Sequence, residues 1–466
     1  MILILQHGIK VLFVIFIITF YSCSSSSNEN ELNLNLVIDE SISKLGSGYY
    51  KKYCSNNENE LDLESEAIFA SFVGDYKKSF YYKSLNQTKY QINAINLIKD
   101  EEDYKEGDSF KSKLKRDVFQ LSDDCKEKKD LEQLLLISER PKNLKVLFEN
   151  YNPIDAYKVI IENSKDFHFT SINEAHHSGL NRCFTKSLLL PLWKNGYRYL
   201  AIEAITMNDS VINDRGFPLM TSGYYLPEPN LGNLVREAIK LGFTIVSYDQ
   251  FFNTGNSDKN NNLREEAQAR NILKKTIAKD SIGKVLIYSG HDHHITESLG
   301  GIKQMGWWLK ELSKYDILTV DQTIMVNNYF EDKTNDYYRF VKKNYDLTNS
   351  LIFIDKSTNK ALVDPIHSLS GIKLQVYHPP TEYVFERPNW MIDSAQRLYK
   401  LPKAIISKYK KSVIEFRPIN ESINSTPIDK FEINSNKRSI LPEGDFSVRI
   451  VNCENIVQAT FHLSIN

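Results

Sequence analysis

The sequence predicts an α/β fold, with a mostly parallel sheet flanked by helices, an N-terminal helical segment and a C-terminal β-rich appendage. Two observations support this prediction. From residue 166 to about 325, short apolar stretches alternate with helical stretches, as they do when crossover helices join parallel strands. After about residue 345, strand-like stretches follow one another with few long helices between them.

The first residues predict export and a lipid anchor. Lys10 precedes an apolar run at 11–20, which is too short to span a bilayer but suits the core of a signal peptide. A small residue precedes Cys23, and a Ser/Asn tract follows it, as in bacterial lipoproteins. We therefore expect a signal peptide at 1–22 and a lipid-anchored linker at 23–59 in a bacterial cell envelope, at the outer membrane. The alternative is an ordinary secretory signal followed by a chance cysteine.

The remaining cysteines would then lie in an oxidising compartment, where one disulfide is expected. They are Cys54, Cys125, Cys183 and Cys453. The sequence does not fix the pairing, and we prefer Cys54 with Cys125 because both lie in the N-terminal segment.

Helical periodicity then dominates residues 60–162, where apolar side chains recur at spacings of three and four. The α/β core is predicted at 163–345. Its five predicted strands are FHFTSIN, YRYLAIEAI, FTIVSYDQ, KVLIYSG and ILTVDQTI. Residues 346–466 form the β-rich region, and its last two strands, DFSVRIVN and IVQATFHLSI, are predicted to form a hairpin.

The composition allows a sizeable core and excludes one class of partner. The chain has 466 residues, of which 41% are hydrophobic and 25% are charged, as in ordinary globular proteins. Its 58 basic and 59 acidic residues give a formal net charge of −1. Nucleic-acid-binding proteins usually carry a basic excess, so no nucleic-acid partner is expected.

Histidines and carboxylates follow the ends of several predicted strands. Of ten histidines, five lie in the two stretches SINEAHHSGL and SGHDHHITES, more than a hundred residues apart. The ends of parallel strands share one edge of a sheet, where ligands bind, so we expect these residues to meet there. The candidate site residues are Glu174, His176, His177, Glu203, His291 and His293.

Such residues suit two kinds of chemistry. A carboxylate that orients a histidine makes a general base, and Arg264, early in the following helix, is expected to stabilise a developing oxyanion. Asp249 ends the third strand and is either part of the site or a helix cap. Imidazole and carboxylate also bind zinc, manganese or iron, and the metal ligands would be Glu174, His176, Glu203 and His293.

These motifs resemble the erythromycin esterase/ChaN-like superfamily, which includes macrolide esterases, ChaN-like haem-binding lipoproteins, and TraB and Tiki proteins. The resemblance covers residues 165–325 and depends on NEAHH, AIEA, an Arg-Glu-Glu-Ala helix and SGHDHH. Glu174 matches the first glutamate of the family. His176 matches the histidine of the ChaN and TraB groups, and His177 that of the esterases. Asn173 is a departure, because the family favours glycine there.

The resemblance extends to the later motifs. Glu203 matches the second acidic residue of the family and Arg264 the arginine that opens a helix, while His291 and His293 fall where family histidines lie. A second family is similar at one motif only: GHDHH resembles the Gly-His-x-His of calcineurin-like metallophosphoesterases. Those enzymes require an Asp-x-His and a Gly-Asp element on earlier strands, and no such element follows a predicted strand before residue 170.

The resemblance implies an envelope hydrolase that cleaves an ester or amide of a small-molecule or peptide substrate. Glu174 and His176 would activate water, with or without a divalent metal, and His291 or His293 would bind the oxyanion or the metal. The alternative is a haem- or metal-binding lipoprotein without catalysis, in which His176 and His293 are the cofactor-binding residues. A third possibility is a purely structural member of the family.

Overall fold

The computed structural model describes residues 32, 35–37, 62–85, 143–255, 257–298, 303–331, 334–392 and 396–466. The predicted signal peptide, Cys23, Cys54 and Cys125 lie outside these residues. Among the described residues, no helix has both the length and the hydropathy that a bilayer crossing requires.

The helices are α1 (Leu63–Phe72), α2 (Leu144–Phe148), α3 (Ala156–Asn163), α4 (Gly179–Lys194), α5 (Ile212–Arg215), α6 (Pro229–Leu241), α7 (Ser257–Lys275), α8 (Met305–Ser313), α9 (Asp336–Asn344), α10 (Pro365–Leu369) and α11 (Lys403–Lys408). A further helical stretch spans 76–85. The strands are β1 (Asn35–Val37), β2 (Tyr151–Asp155), β3 (Phe169–Glu174), β4 (Tyr197–Ile202), β5 (Thr244–Ser247), β6 (Lys284–Gly290), β7 (Ile317–Asp321), β8 (Leu351–Asp355), β9 (Leu374–Gln375), β10 (Tyr383–Val384), β11 (Arg387–Pro388), β12 (Arg397–Lys400), β13 (Val413–Pro418), β14 (Asp429–Glu432), β15 (Arg438–Leu441), β16 (Gly444–Val451) and β17 (Val457–Ile465).

The core of the molecule is a six-stranded sheet with the order β5-β4-β6-β3-β7-β9. Each neighbouring pair in it is parallel, and helices cover both faces. The predicted fold class is therefore confirmed. The five predicted strands are present, and β9 joins them from beyond residue 345.

Strand β6 shows how the sequence dictates this layered arrangement. Leu286 and Tyr288 pack in the same core as residues of α4 and α6, whereas Val285 and Ile287 pack with residues of α7 and α8. Alternate side chains of a strand point to opposite faces, so a strand covered on both sides needs an unbroken apolar run. Burying each such side chain contributes about 1.5–3 kcal/mol.

A second sheet is antiparallel, with the order β1-β17-β16-β13-β14. It contains the predicted C-terminal hairpin, because β16 and β17 pair antiparallel across their length. Cys453, in the loop of that hairpin, is disulfide-bonded. Cys183 forms no disulfide. A bonded Cys453 disagrees with the expectation that the one disulfide of the chain joins Cys54 to Cys125.

The predicted helical segment also contains a strand. β2 interrupts it at Tyr151–Asp155 and pairs antiparallel with β8. Pro153 lies in the middle of β2, and proline has no backbone N–H for a helix and clashes with the preceding turn. Proline is accepted in a strand at an edge, which accounts for the strand at this position.

Candidate functional site

The two histidine clusters meet at the edge of the sheet where β3 and β6 end. These strands are direct neighbours, and Glu174 lies opposite Gly290 in their register. The rings of His176 and His291 are 6.5 Å apart between centroids, in an edge-to-face arrangement. Glu203, which follows β4 on the other side of β6, accepts a hydrogen bond of 2.7 Å from the Gly290 N–H.

Glu174 is buried at the end of β3 and orients His176. Its Oε1 lies 3.1 Å from Nδ1 of His176, and Arg182 on α4 donates to both carboxylate oxygens, at 2.8 and 3.1 Å. Burial alone would raise the pKa of Glu174, but Arg182 and His176 outweigh it and lower the pKa to about 2. An ionised carboxylate only accepts hydrogen bonds, so Nδ1 of His176 carries the proton and Nε2 keeps its lone pair.

Arg182 also binds a second buried carboxylate, that of Glu228. Its Nη1 donates to Glu228 Oε2 at 3.0 Å, and the side chains of both residues are fully buried. Glu228 caps α6 by accepting from the Leu231 N–H, and it accepts further hydrogen bonds from Tyr76 and Asn230. The helical stretch 76–85 is thereby joined to the network that positions Glu174.

The imidazole of His176 lies between the ring of Tyr225 and the backbone of Gly290. Tyr225 stacks on it with centroids 4.0 Å apart and planes within 14°. A Cβ at Gly290 would lie 2.6 Å from His176 Nε2 and 3.2 Å from Glu203 Oε2. The glycine therefore lets the imidazole lie against β6, with its Nε2 near the carboxylate of Glu203.

Glu203 lies in a second network with Arg264. Arg264 Nη2 donates to Glu203 Oε1 at 2.7 Å, and Arg264 also donates twice to Asp249 at 2.8 Å. Gln268, one turn further along α7, donates to Asp249 as well. Asp249 thus orients Arg264, whose guanidinium donates to the Glu203 carboxylate.

His293 lies between two carboxylates and is a cation. Its Nε2 is 3.1 Å from Glu203 Oε1, and its Nδ1 is 2.7 Å from Glu265 Oε1. Burial disfavours the charged ring, but Glu203 and Glu265 outweigh it and raise the pKa of His293 to about 10. The same pairing holds the pKa of Glu203 well below its usual range against the effect of burial.

His177 and His291 face a neighbouring cavity of about 550 Å³, which Lys83 also lines. Burial, together with Lys83 and His176, lowers the pKa of His291 to about 4. Burial, Lys83 and His291 lower the pKa of His177 well below its usual value. Both rings are therefore neutral near neutral pH and can each donate one N–H.

The predicted metal ligands do not form a ligand group. Within the part of the chain that the structure describes, no set of three or more His, Cys, Asp or Glu side chains is placed to hold a metal ion. Both ring nitrogens of His293 are paired with carboxylates, so neither is left for a metal or for haem iron. His176 keeps Nε2, and ligation by this residue stays a prediction.

Asn173, which departs from the family pattern, joins two strands. Its Nδ2 donates to Asp321 Oδ1 at 2.8 Å, and its Oδ1 accepts from the Gln322 N–H at 2.9 Å. The amide is therefore engaged with β7 and the residue that follows it. It adds a polar link between the strands beside Glu174.

Several residues of the site were not predicted from the sequence. They are Arg182, Tyr225, Glu228 and Glu265. One signal was available for the arginine: a carboxylate buried at a strand end requires a cation nearby, and Arg182 is the first lysine or arginine after Glu174. Tyr225 and Glu228 lie in the long connection before α6, which carries no periodic pattern.

No protein-family model matches the chain, and no characterised protein matches it in sequence. Among solved structures, it is similar to the type III effector HopBA1, with a TM-score of 0.29 and 11% identity over 39% of this chain and 93% of that one. It is also similar to RRSP, a MARTX toxin effector domain from Vibrio vulnificus, with a TM-score of 0.23 and 14% identity over 59% of this chain and 61% of that one. A structure described as "Bacterial protein toxins" has a TM-score of 0.28 and 14% identity, over 64% and 68%. At these TM-scores the similarities assign no function.

Proposed function

We propose that the protein is a cell-envelope hydrolase that cleaves an ester or amide bond with a water activated by His176 and Glu174. One observation carries the proposal: Nδ1 of His176 lies 3.1 Å from Glu174 Oε1, which leaves Nε2 as the base. Arg182 keeps Glu174 ionised, so the carboxylate can orient the imidazole and stabilise it when it takes up a proton. The resemblance to the erythromycin esterase/ChaN-like superfamily agrees with this assignment.

The reaction needs one proton acceptor and one place for the negative charge. Water would donate one hydrogen to Nε2 of His176 and the other to Glu203, whose Oε2 lies on the same side of Gly290. As the proton moves to Nε2, the water oxygen bonds to the acyl carbon and a tetrahedral oxyanion forms. His291 is neutral and beside His176, so it would donate its N–H to that oxyanion.

Collapse of the tetrahedral intermediate completes the reaction. The acyl carbon loses its bond to the leaving oxygen or nitrogen, which takes the proton from His176. The products are an acid and an alcohol or amine, and the base is restored. The ionised Glu174 stabilises the transient imidazolium, while Arg264 and His293 hold Glu203 as an acceptor.

The test is a hydrolysis screen with esters and peptides, beside a haem titration, on the protein that begins at residue 24. A general base typically contributes a factor of about 10² to 10⁴ in rate. His176→Ala should therefore lower kcat by that order with little change in KM, because proton transfer acts in the transition state. His462→Ala, an exposed histidine on β17, is the control and should leave kcat unchanged.

Two outcomes would contradict the proposal. A parent protein that binds haem tightly and hydrolyses nothing would favour the carrier function. Hydrolysis that survives the double change His176→Ala and His177→Ala would rule out the assigned base.

The location belongs to the same proposal. Lipidation of Cys23 would tether the hydrolase to the outer membrane, where it would meet small-molecule or peptide substrates. Metabolic labelling with a fatty acid should mark the parent protein and not Cys23→Ala. Equal labelling of both would place the acyl group on another residue.

A further inference from the structure

The cavity beside the histidines has the size of a small-molecule site. Its volume of about 550 Å³ lies within the usual range of about 300–1,000 Å³ for ligand pockets. It is bordered by the loops after β3, β6 and β7, and by the helical stretch 76–85. Aromatic rings form much of its apolar wall, namely those of Tyr76, Phe80, Tyr383 and Trp390.

Three nitrogen-bearing side chains gather on its wall. Lys83, His177 and His291 all line the cavity. Among the described residues, these side chains make no hydrogen bond or ion pair. Each is partly exposed, and all three line the same cavity, so a ligand in the cavity can reach them.

No carboxylate near the cavity is paired with Lys83, His177 or His291 among the described residues. Asp336 on its wall is paired with Arg339, and Asp321 accepts from Asn173 and Gln375. Glu64 acts on Lys83 only through its field, which opposes the lowering of the lysine pKa by burial. Asp292, next to His291, is exposed and acts on His291 only through its field, which opposes the lowering of the imidazole pKa by burial. These acidic groups therefore leave the side chains on the cavity wall open to an external anion.

We propose that this cavity binds a small organic carboxylate, with the carboxylate held by Lys83 and His177 and a ring-bearing body against the aromatic wall. The ammonium group of Lys83 matches the single charge of a carboxylate, and the neutral imidazole of His177 can donate one N–H to it. The N–H of His291 remains available for the oxyanion. Hydrogen bonds between charged partners contribute more than neutral ones. An acidic substrate of this type would be held beside His176, because His291 borders both the cavity and that residue.

Binding of the carboxylate is independent of catalysis, whereas its identity as part of the substrate rests on the proposed function. Isothermal titration calorimetry with benzoate and with benzamide tests the binding directly. The two probes share a shape and differ in charge. Benzoate should bind at least about 10-fold more tightly, because hydrogen bonds to a charged group are stronger than those between neutral groups. A factor of ten corresponds to about 1.4 kcal/mol.

Lysine variants in the helical stretch 76–85 test whether Lys83 supplies the positive charge that binds the carboxylate. Lys83→Met should weaken benzoate binding by about 10-fold or more and leave benzamide binding unchanged. Lys77→Met, an exposed lysine on the same stretch, should change neither. His177→Phe should also weaken benzoate binding, while keeping a ring in the wall.

The outcomes separate this proposal from the previous one. Absence of benzoate binding, equal binding of benzoate and benzamide, or equal effects of the two lysine changes would overturn it. Inorganic phosphate that displaces benzoate more strongly than acetate does would overturn the choice of a carboxylate. Benzoate binding without any hydrolysis would leave the cavity proposal standing and remove only the proposed enzyme.

Discussion

Arg182 holds together two carboxylates that would repel each other without it. Glu174 and Glu228 both bind its guanidinium. Removing one partner from a buried ion pair typically destabilises a protein by about 3–5 kcal/mol, because the remaining charge stays buried. We expect Arg182→Met to lower the free energy of unfolding by that amount in urea denaturation.

A surface arginine provides the comparison for that prediction. Arg270 pairs with Glu266 on the exposed face of α7, and such pairs contribute about 0–1 kcal/mol. Arg270→Met should therefore change stability little. Equal losses for the two arginines would show that Arg182 is not the electrostatic centre of the site. If Arg182→Met does not fold, Glu228→Gln should still lower stability, since it weakens the same pair.

His293 makes the stability of the site depend on pH. Its folded pKa is about 10 against an ordinary value of 6.5, so the folded state binds the proton more tightly than the unfolded state does. This contribution is fully present below pH 6.5 and is lost as the pH rises through 10. The difference in unfolding free energy between the parent and His293→Gln should therefore shrink over this interval. A constant difference would contradict a cationic His293.

Most of the site residues that were predicted from the sequence lie at strand ends, whereas those that were missed lie on a loop or a helix. His176, Glu203 and His293 stand directly after apolar strands, where the sheet itself fixes their position. Tyr225 and Glu265 reach the site through a long loop and a helix face, so their contacts depend on how those elements pack. Local pattern carries no information about that packing.

At the scale of the elements, β6 must end in glycine for His176 to keep its place. A Cβ at Gly290 would lie 2.6 Å from two atoms of the imidazole, a separation that real Cβ atoms do not adopt. We expect Gly290→Ala to displace the ring and to lower any hydrolytic rate by about 10² or more, as the base is lost. The hydrolytic rate should fall by this factor, whereas the melting temperature should change little.

Ser289 is the matched control on the same strand. It is buried, and its hydroxyl has no hydrogen-bond partner among the described residues, so Ser289→Ala removes no hydrogen bond. That variant should retain the parent rate. An active Gly290→Ala protein would show that His176 tolerates the shift and that its position over β6 is not required.

Long apolar elements were predictable from the sequence, and very short ones were not. β6 was predicted over its full length because seven consecutive residues suit a strand buried on both faces. β9 has only two residues, which cannot show a period. β2 carries a proline and lies next to helices, so its pairing with β8 comes from the tertiary structure.

At the scale of the whole molecule, the N-terminal strand β1 covers the edge of the second sheet. It pairs antiparallel with β17, with Val37 opposite Thr460. An uncovered strand edge presents unpaired N–H and C=O groups that recruit other chains. A protein that begins at residue 41 should therefore self-associate in light scattering, whereas one that begins at residue 24 should not. If light scattering shows both proteins in the same oligomeric state, this role of β1 is contradicted.

The pairing of β1 with β17 also affects the order in which the two sheets form during folding. During synthesis β1 leaves the ribosome early, and its partner strand emerges only when residues 457–465 have been made. Contacts between such distant parts of a chain form slowly, because the intervening loop must first be closed. The second sheet is therefore expected to be completed last, after the parallel sheet and its site can already have formed. A chain that stops short of β17 would leave β1 without its partner.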